Sequence, residues 1–260
     1  MKCYEIIDKL EALSPTEFAE EWDNIGLLAG RRDKEVRTVY IALDATDAVI
    51  EEAVRLGADL LLTHHPLIFK KMSRVNTDDF IGRRVCELIR NDISYYAMHT
   101  NFDVMGMADA AADELSLKDR RVLDVTYEDD ISKEGCGRVG ELKDSMRVEA
   151  LAGLVKEKFH VPNVRVFGDL DSPVRTVAVM PGSGGGFIQD ALAAGADAMI
   201  TGDVGHHEGI DAVAQGLAVI DAGHYGIEKL FISYMEEFMK RELPGVQIYK
   251  AEIREPFIVV

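Results

Sequence analysis

Two histidines, His64 and His65, stand side by side where the run Asp59-Leu60-Leu61-Leu62-Thr63 ends and Pro66 stops it. Two more are each followed four residues later by a carboxylate, His99 by Asp103 and His224 by Glu228. Imidazoles and carboxylates recurring together without thiolates point to a divalent metal centre. Zinc, iron and manganese suit such ligands best; Cu(I) and a pure magnesium or calcium site do not. The groups are too many for one catalytic zinc with an open position. They suit two divalent ions per chain held by a bridging carboxylate, roughly 3.5–4 Å apart. Two such ions would leave net positive charge for a hydroxide and an anionic ligand, the arrangement of a metal-assisted hydrolase.

The elements that must position these groups alternate along the chain. Leu60-Leu61-Leu62, apolar without alternation, reads as a strand buried on both faces. Its carboxyl end is where open α/β sheets place ligands. Before it come a strand over 36–43 and a helix over 46–56 closed by Gly57; after it come an amphipathic helix over 77–90 and a strand over 93–98. That is βαβαβ, the mark of a mainly parallel sheet flanked by helices. Ile6, Ile7, Leu10 and Leu13 predict a first helix, and Ser14-Pro15-Thr16-Glu17 reads as a capping box opening another. A helix over 225–239 would put His224 and Glu228 on one face of its first turn. Asp103 falls in a Gly/Met-rich loop.

Residues 39–63 and 177–201 align without a gap at an offset of 138, and seven of the 25 positions are identical. Gly57-Ala58-Asp59 faces Gly195-Ala196-Asp197, and Thr63 faces Thr201. The chain therefore reads as an internal duplication of two similar α/β lobes, about 1–127 and 128–260, and with no linker between them they are expected to be packed together or intertwined. In the second copy Gly202-Asp203 replaces the His64-His65 pair, so ligands there are lost. Pro181 to Gly186 follows a strand and opens a helix, so its N–H groups are placed for a phosphate, although no P-loop lysine follows. His206 and His207 read as the solvated start of a helix, with contact to substrate or metal as the lesser alternative. Trp22-Asp23-Asn24 reads as either core packing or a substrate-pocket wall.

The formal charge of −17 over 260 residues argues against nucleic acid and anionic membranes as partners. Cys3, Cys86 and Cys136 have no Cys-x-x-Cys spacing, which points away from disulfides and thiolate zinc. No run approaches the roughly 20 apolar residues of a membrane span, and the first ten residues do not read as a signal peptide. A cytoplasmic protein is expected.

Taken together these residues resemble the YbgI-like dinuclear-metal-centre proteins, often labelled GTP cyclohydrolase I type 2 homologues. The resemblance rests on Glu21-Trp22-Asp23-Asn24-Ile25-Gly26-Leu27, His64-His65-Pro66-Leu67-Ile68-Phe69, His99-Thr100-Asn101-Phe102-Asp103, Gly135-Cys136-Gly137-Arg138-Val139-Gly140, Pro181-Gly182-Ser183-Gly184, Thr201-Gly202-Asp203 and Asp221-Ala222-Gly223-His224-Tyr225-x-x-Glu228. It implies a toroidal homohexamer and a dimetal site in which His65, Asp103 and Glu228 bind one ion. His64, His224 and Glu228 would bind the other, with Glu228 bridging. His99 would stand behind the ligands, orienting Asp103 or a water and shuttling a proton. The expected function is a hydrolase acting on a purine nucleotide, GTP by resemblance, with a small anionic or nucleotide ligand. The alternative is a ring-shaped metal-binding or metal-delivery protein without turnover.

Overall fold

In the computed structural model, which describes residues 1–258 and 260, helix α1 (Cys3–Leu13) buries Ile6, Ile7 and Leu10 at helical spacing. The expected capping box does not form. Ser14 instead closes α1 through its N–H to Leu10 O at 2.9 Å, and only a short 3-10 turn, Thr16–Phe18, follows. Strands β1 (Gly26–Ala29) and β2 (Thr38–Ala42), helix α2 (Asp47–Leu56), β3 (Leu60–Thr63), α3 (Phe80–Arg90), β4 (Ser94–Ala97) and a single turn α4 (Thr100–Phe102) come next. Both helices start where a side chain caps them: Thr46 accepts from Val49 N, and Asp79 from Gly82 N. Gly57 ends α2 at φ 62, where a Cβ would be strained.

Beyond α4 the chain makes a π-helical turn, Asp103–Met107, and helix α5 (Ala108–Glu114). It continues through β5 (Lys118–Glu128), β6 (Lys133–Arg147), α6 (Val148–Lys158), β7 (Arg165–Phe167), β8 (Pro173–Ser183), α7 (Ile188–Ala193) and β9 (Ala198–Gly202). Then follow α8 (His206–Ala214), β10 (Ala218–Asp221), α9 (His224–Glu228), α10 (Leu230–Glu242) and β11 (Gln247–Lys250). The helix expected over 225–239 is thus two helices, interrupted at Lys229.

Contacts divide the chain into two compact units, each built from two stretches. Unit 1 is Met1–Phe102 with Phe231–Ile253, and unit 2 is Asp103–Leu230 with Arg254–Val260. This division differs from a break at 127/128. Residue 127 lies inside β5, paired to β6, while β11 returns to pair with β2. Sheet pairing, not position along the chain, decides membership.

The sheet of unit 1 runs β1-β4-β3-β2-β11, parallel except for β1. Every residue of β2, β3 and β4 is buried, as strands covered on both faces must be. The sheet of unit 2 runs β5-β6-β8-β9-β10-β7, with a parallel centre β8-β9-β10 and antiparallel strands on either side. Both units are therefore mixed α/β.

The repeat read from the sequence reappears in the pairing. Val39 lies opposite Leu60, and Val177 lies opposite Ala198, the same register 138 positions on. Asp59 accepts the N–H groups of Arg37 and Thr38; Asp197 accepts those of Arg175 and Thr176. The identical Gly-Ala-Asp thus closes the same turn in each unit.

Candidate metal centre

In unit 1 the histidines gather at the carboxyl ends of β3 and β4. One ring nitrogen of each of His64, His65 and His99 lies within 4.8 Å of the others. Every Nδ1 is tied to an oxygen: His64 to Met98 O at 2.7 Å, His65 to Asp44 Oδ1 at 2.8 Å, and His99 to Asp23 Oδ1 at 2.9 Å. An oxygen acceptor at Nδ1 fixes the tautomer with the proton there, so Nε2 carries the lone pair that a metal would take.

The turn carrying His64 and His65 hangs on one buried tyrosine. Tyr95 Oη meets Thr63 Oγ1 at 2.7 Å, accepts from Leu67 N at 2.7 Å and donates to His65 O at 3.0 Å. Burial pushes its hydroxyl up to about 12, so it stays protonated and able to donate. Behind the pair, His64 is wholly buried against the rings of Phe102 and Phe231.

Asp23 anchors His99. Burial alone would raise its carboxyl pKa, but hydrogen bonds from His99 and from Thr100 N and Oγ1 outweigh burial and hold it at about 2. Its neighbour Trp22 is not core: it is 58% exposed, with its ring 6.0 Å from His99 and 5.8 Å from Phe69. The core-packing reading of Trp22 therefore does not hold.

In unit 2, Asp103 is not in a loop. It opens the π-helical turn, a widened helix geometry frequent at functional sites, and a carboxylate oxygen of Asp103 lies within 4.8 Å of one of Glu228. Glu228 is buried, and His224, one turn earlier on α9, meets its Oε2 through Nε2 at 2.8 Å. Burial would lower the pKa of His224. Its bonds to Glu228 and Asp203 prevail and raise it to about 9. Asp203 Oδ2 holds Nδ1 at 3.0 Å, and Ser183 Oγ stands 3.2 Å from the same nitrogen. His224 therefore repeats the arrangement of His65 and His99, with Nδ1 on a carboxylate, and turns its Nε2 to Glu228.

The glycines of the Pro181–Gly186 segment make room for side chains. A Cβ at Gly182, which has φ +74, would overlap Glu228 Oε1; one at Gly184 would meet Thr201, and one at Gly185 would meet Glu208. The N–H of Gly184 donates to Gly202 O. Two carboxylates thus border the segment expected to hold phosphate. His206 and His207 are exposed at the start of α8 and belong to none of the ligand groups found among the described residues.

Sequence reasoning passed over Asp44 and Asp23 as anchors and read Gly202-Asp203 as lost ligands. Asp44 does carry a signal, since it follows β2 at the carboxyl end of a parallel strand. Gly202 has its own task, because a side chain there would collide with the backbone of His224.

A two-sheet α/β chain with clustered imidazoles and carboxylates that could hold a metal ion is the class these features define. The chain belongs to the Duf34/NIF3 (NGG1p interacting factor 3) family, whose sequence model matches residues 1–256. A Clostridium perfringens protein named GTP cyclohydrolase 1 type 2 homolog is 38% identical over 261 residues, covering 99% of each chain. A Bacillus cereus protein related to NIF3 superposes with a TM-score of 0.91 at 28% identity, over 100% of this chain and 99% of that one. The protein ybgI, described as of unknown function, superposes at 0.85 with 25% identity, over 99% and 100%. The resemblance to YbgI-like proteins thus holds. Among the described residues no helix is long and apolar enough to cross a membrane.

Proposed function

We propose that the chain is a metal-dependent hydrolase of a purine nucleotide, GTP foremost, working with two divalent ions per chain. One observation carries the reading: His64, His65 and His224 each have Nδ1 bound to an oxygen, which sets Nε2 as the ligand nitrogen, and the same bond at His99 leaves its Nε2 free for proton transfer. A structural histidine needs no such uniformity. His65, Asp103 and Glu228 would hold one ion, and His64, His224 and Glu228 the other, with zinc, iron and manganese the metals of choice. When bound, two such ions polarise a substrate oxygen and bring water toward ionisation near neutral pH.

The chain's own groups supply the rest. Asp23, anionic through the neutral range, holds His99 in one tautomer, so that Nε2 can take a proton from the attacking water and return it to the leaving nitrogen. The name shared by the curated relatives supports GTP as the first substrate to try. The test is formate release from GTP by metal-loaded protein, together with a panel of nucleotides and phosphoesters. His99→Ala should keep both metals yet lose turnover at least ~100-fold. No turnover on any member of the panel sinks the enzyme reading.

A second reading, a metal-delivery protein, draws on the partial exposure of the His65 and His224 side chains, 22% and 33%. A carrier would surrender its metal to chelators within minutes and show no turnover. For either reading we take the assembly to be a cytoplasmic homohexamer, which native mass spectrometry would test.

A further inference from the structure

One segment reverses the charge of this chain. Within a protein of net charge −17, Lys70, Lys71 and Arg74 fall within five residues and line a cavity of about 420 Å³ with Phe69 and Met72. Among the described residues none of the three side chains is in an ion pair or hydrogen bond. The cavity has a single acid, Asp79, and its carboxylate is engaged in capping α3 through Gly82 N at 2.9 Å. Three cations against one carboxylate leave the lining net positive, which attracts an anion, with the arginine able to grip two oxygens at once.

The aromatic neighbours narrow the anion. Phe69 and Trp22 are 51% and 58% exposed, yet their rings lie 5.8 Å apart, and each ring is within 6.3 Å of the His99 ring. Asn24 Nδ2 donates to Ile68 O at 2.5 Å, which ties the Trp22 turn to the segment that carries Phe69. The two rings are tilted at 49° to each other, so each offers an exposed face on which a planar base can stack. The pair begins at the imidazoles and ends at the cations. The Gly-rich segment at Pro181–Gly186, by contrast, lies against the carboxylates of Glu208 and Glu228, which repel phosphate.

We propose that Lys70, Lys71 and Arg74 form the phosphate subsite for a nucleotide whose base lies against Trp22 and Phe69. The proposal rests on the nucleotide reading of the substrate, and not on whether turnover occurs.

Trp22 is the only tryptophan, so its fluorescence reports this site alone. Titrating the purified protein with guanosine, GMP, GDP and GTP should shift its emission, with affinity rising as phosphates are added and falling with salt. The triple variant Lys70→Ala/Lys71→Ala/Arg74→Ala should weaken GTP at least ~10-fold while leaving guanosine unchanged. Inorganic triphosphate should displace GTP from the wild type without itself perturbing Trp22. Equal GTP affinity in wild type and triple variant, checked by calorimetry, overturns the proposal, as does the absence of any nucleotide binding. Unchanged GTP affinity in Trp22→Leu removes the base contact. Formate release is measured separately: binding that follows the cations without turnover leaves this subsite standing and rejects the hydrolase.

Discussion

Asp203 accepts a hydrogen bond from Nδ1 of His224 at 3.0 Å, 21 residues away, and so aims Nε2 at Glu228. Asp203 occupies the repeat position of His65 and holds this place at φ 56. The second copy thus contributes an anchor where the first contributes a ligand. Asp203→Ala is expected to weaken metal binding ~10–100-fold, since a ligand histidine without its carboxylate loses both orientation and basicity. Chelator competition measures this, with exposed Asp211→Ala as the control. Equal affinity in both variants would make Asp203 dispensable.

Glu228 allows a sharper test. Glu228→Gln preserves the shape that fits over Gly182 but removes the charge, so the fold should survive while occupancy drops from two ions per chain to one or none. His64→Asn should remove one ion only. Elemental analysis showing equal losses in the two variants would end the bridging assignment.

The raised pKa of His224 sets a pH dependence. Its folded value of about 9 lies above the ordinary imidazole value of 6.5, so in metal-free protein the His224–Glu228 pair stabilises fully below about 6.5. That contribution is lost as pH rises through about 9. Metal requires the neutral ring, so binding at pH 7.5 must expel this proton, and binding well above pH 9 need not. Calorimetry in two buffers of different ionisation enthalpy counts the protons. His224→Asn should release about one fewer per chain at pH 7.5; an unchanged count would mean that the ring is neutral beforehand.

Tyr95→Phe removes one oxygen from the centre of the His64-His65 turn. Leu67 N would lose its acceptor in a buried setting, at a cost of about 1–3 kcal/mol. Urea unfolding should show the lower midpoint, and metal affinity should fall with it. An unchanged midpoint would mean that water replaces the hydroxyl.

Much of this was legible beforehand, for identifiable reasons. Leu60-Leu61-Leu62 cannot face water on either side, so a central strand ending in His64-His65 followed from apolarity alone. Asp59 and Asp197 close identical turns, so the duplication survived as identity at those positions. The β5–β6 pair was not legible: Lys118 to Glu128 is charged and largely exposed, and its pairing depends on a partner strand rather than on a pattern. The anchors Asp23, Asp44 and Asp203 are single aspartates whose partners lie 76, 21 and 21 residues away. No local spacing marks such a bond.

The late return of β11 to β2 has a consequence for the order of synthesis. The β2 edge, Thr38–Ala42, is buried along its whole length, yet Gln247–Lys250 is made only after all of 103–230. At typical ribosomal speeds of about 5–20 residues per second, that edge waits roughly ten to forty seconds for its partner. During that interval the nascent chain presents an apolar strand with open backbone groups, a template for the wrong neighbour. The first sheet to begin forming on the ribosome is therefore the last to be closed, and its vulnerable stage is set by translation rate more than by final stability.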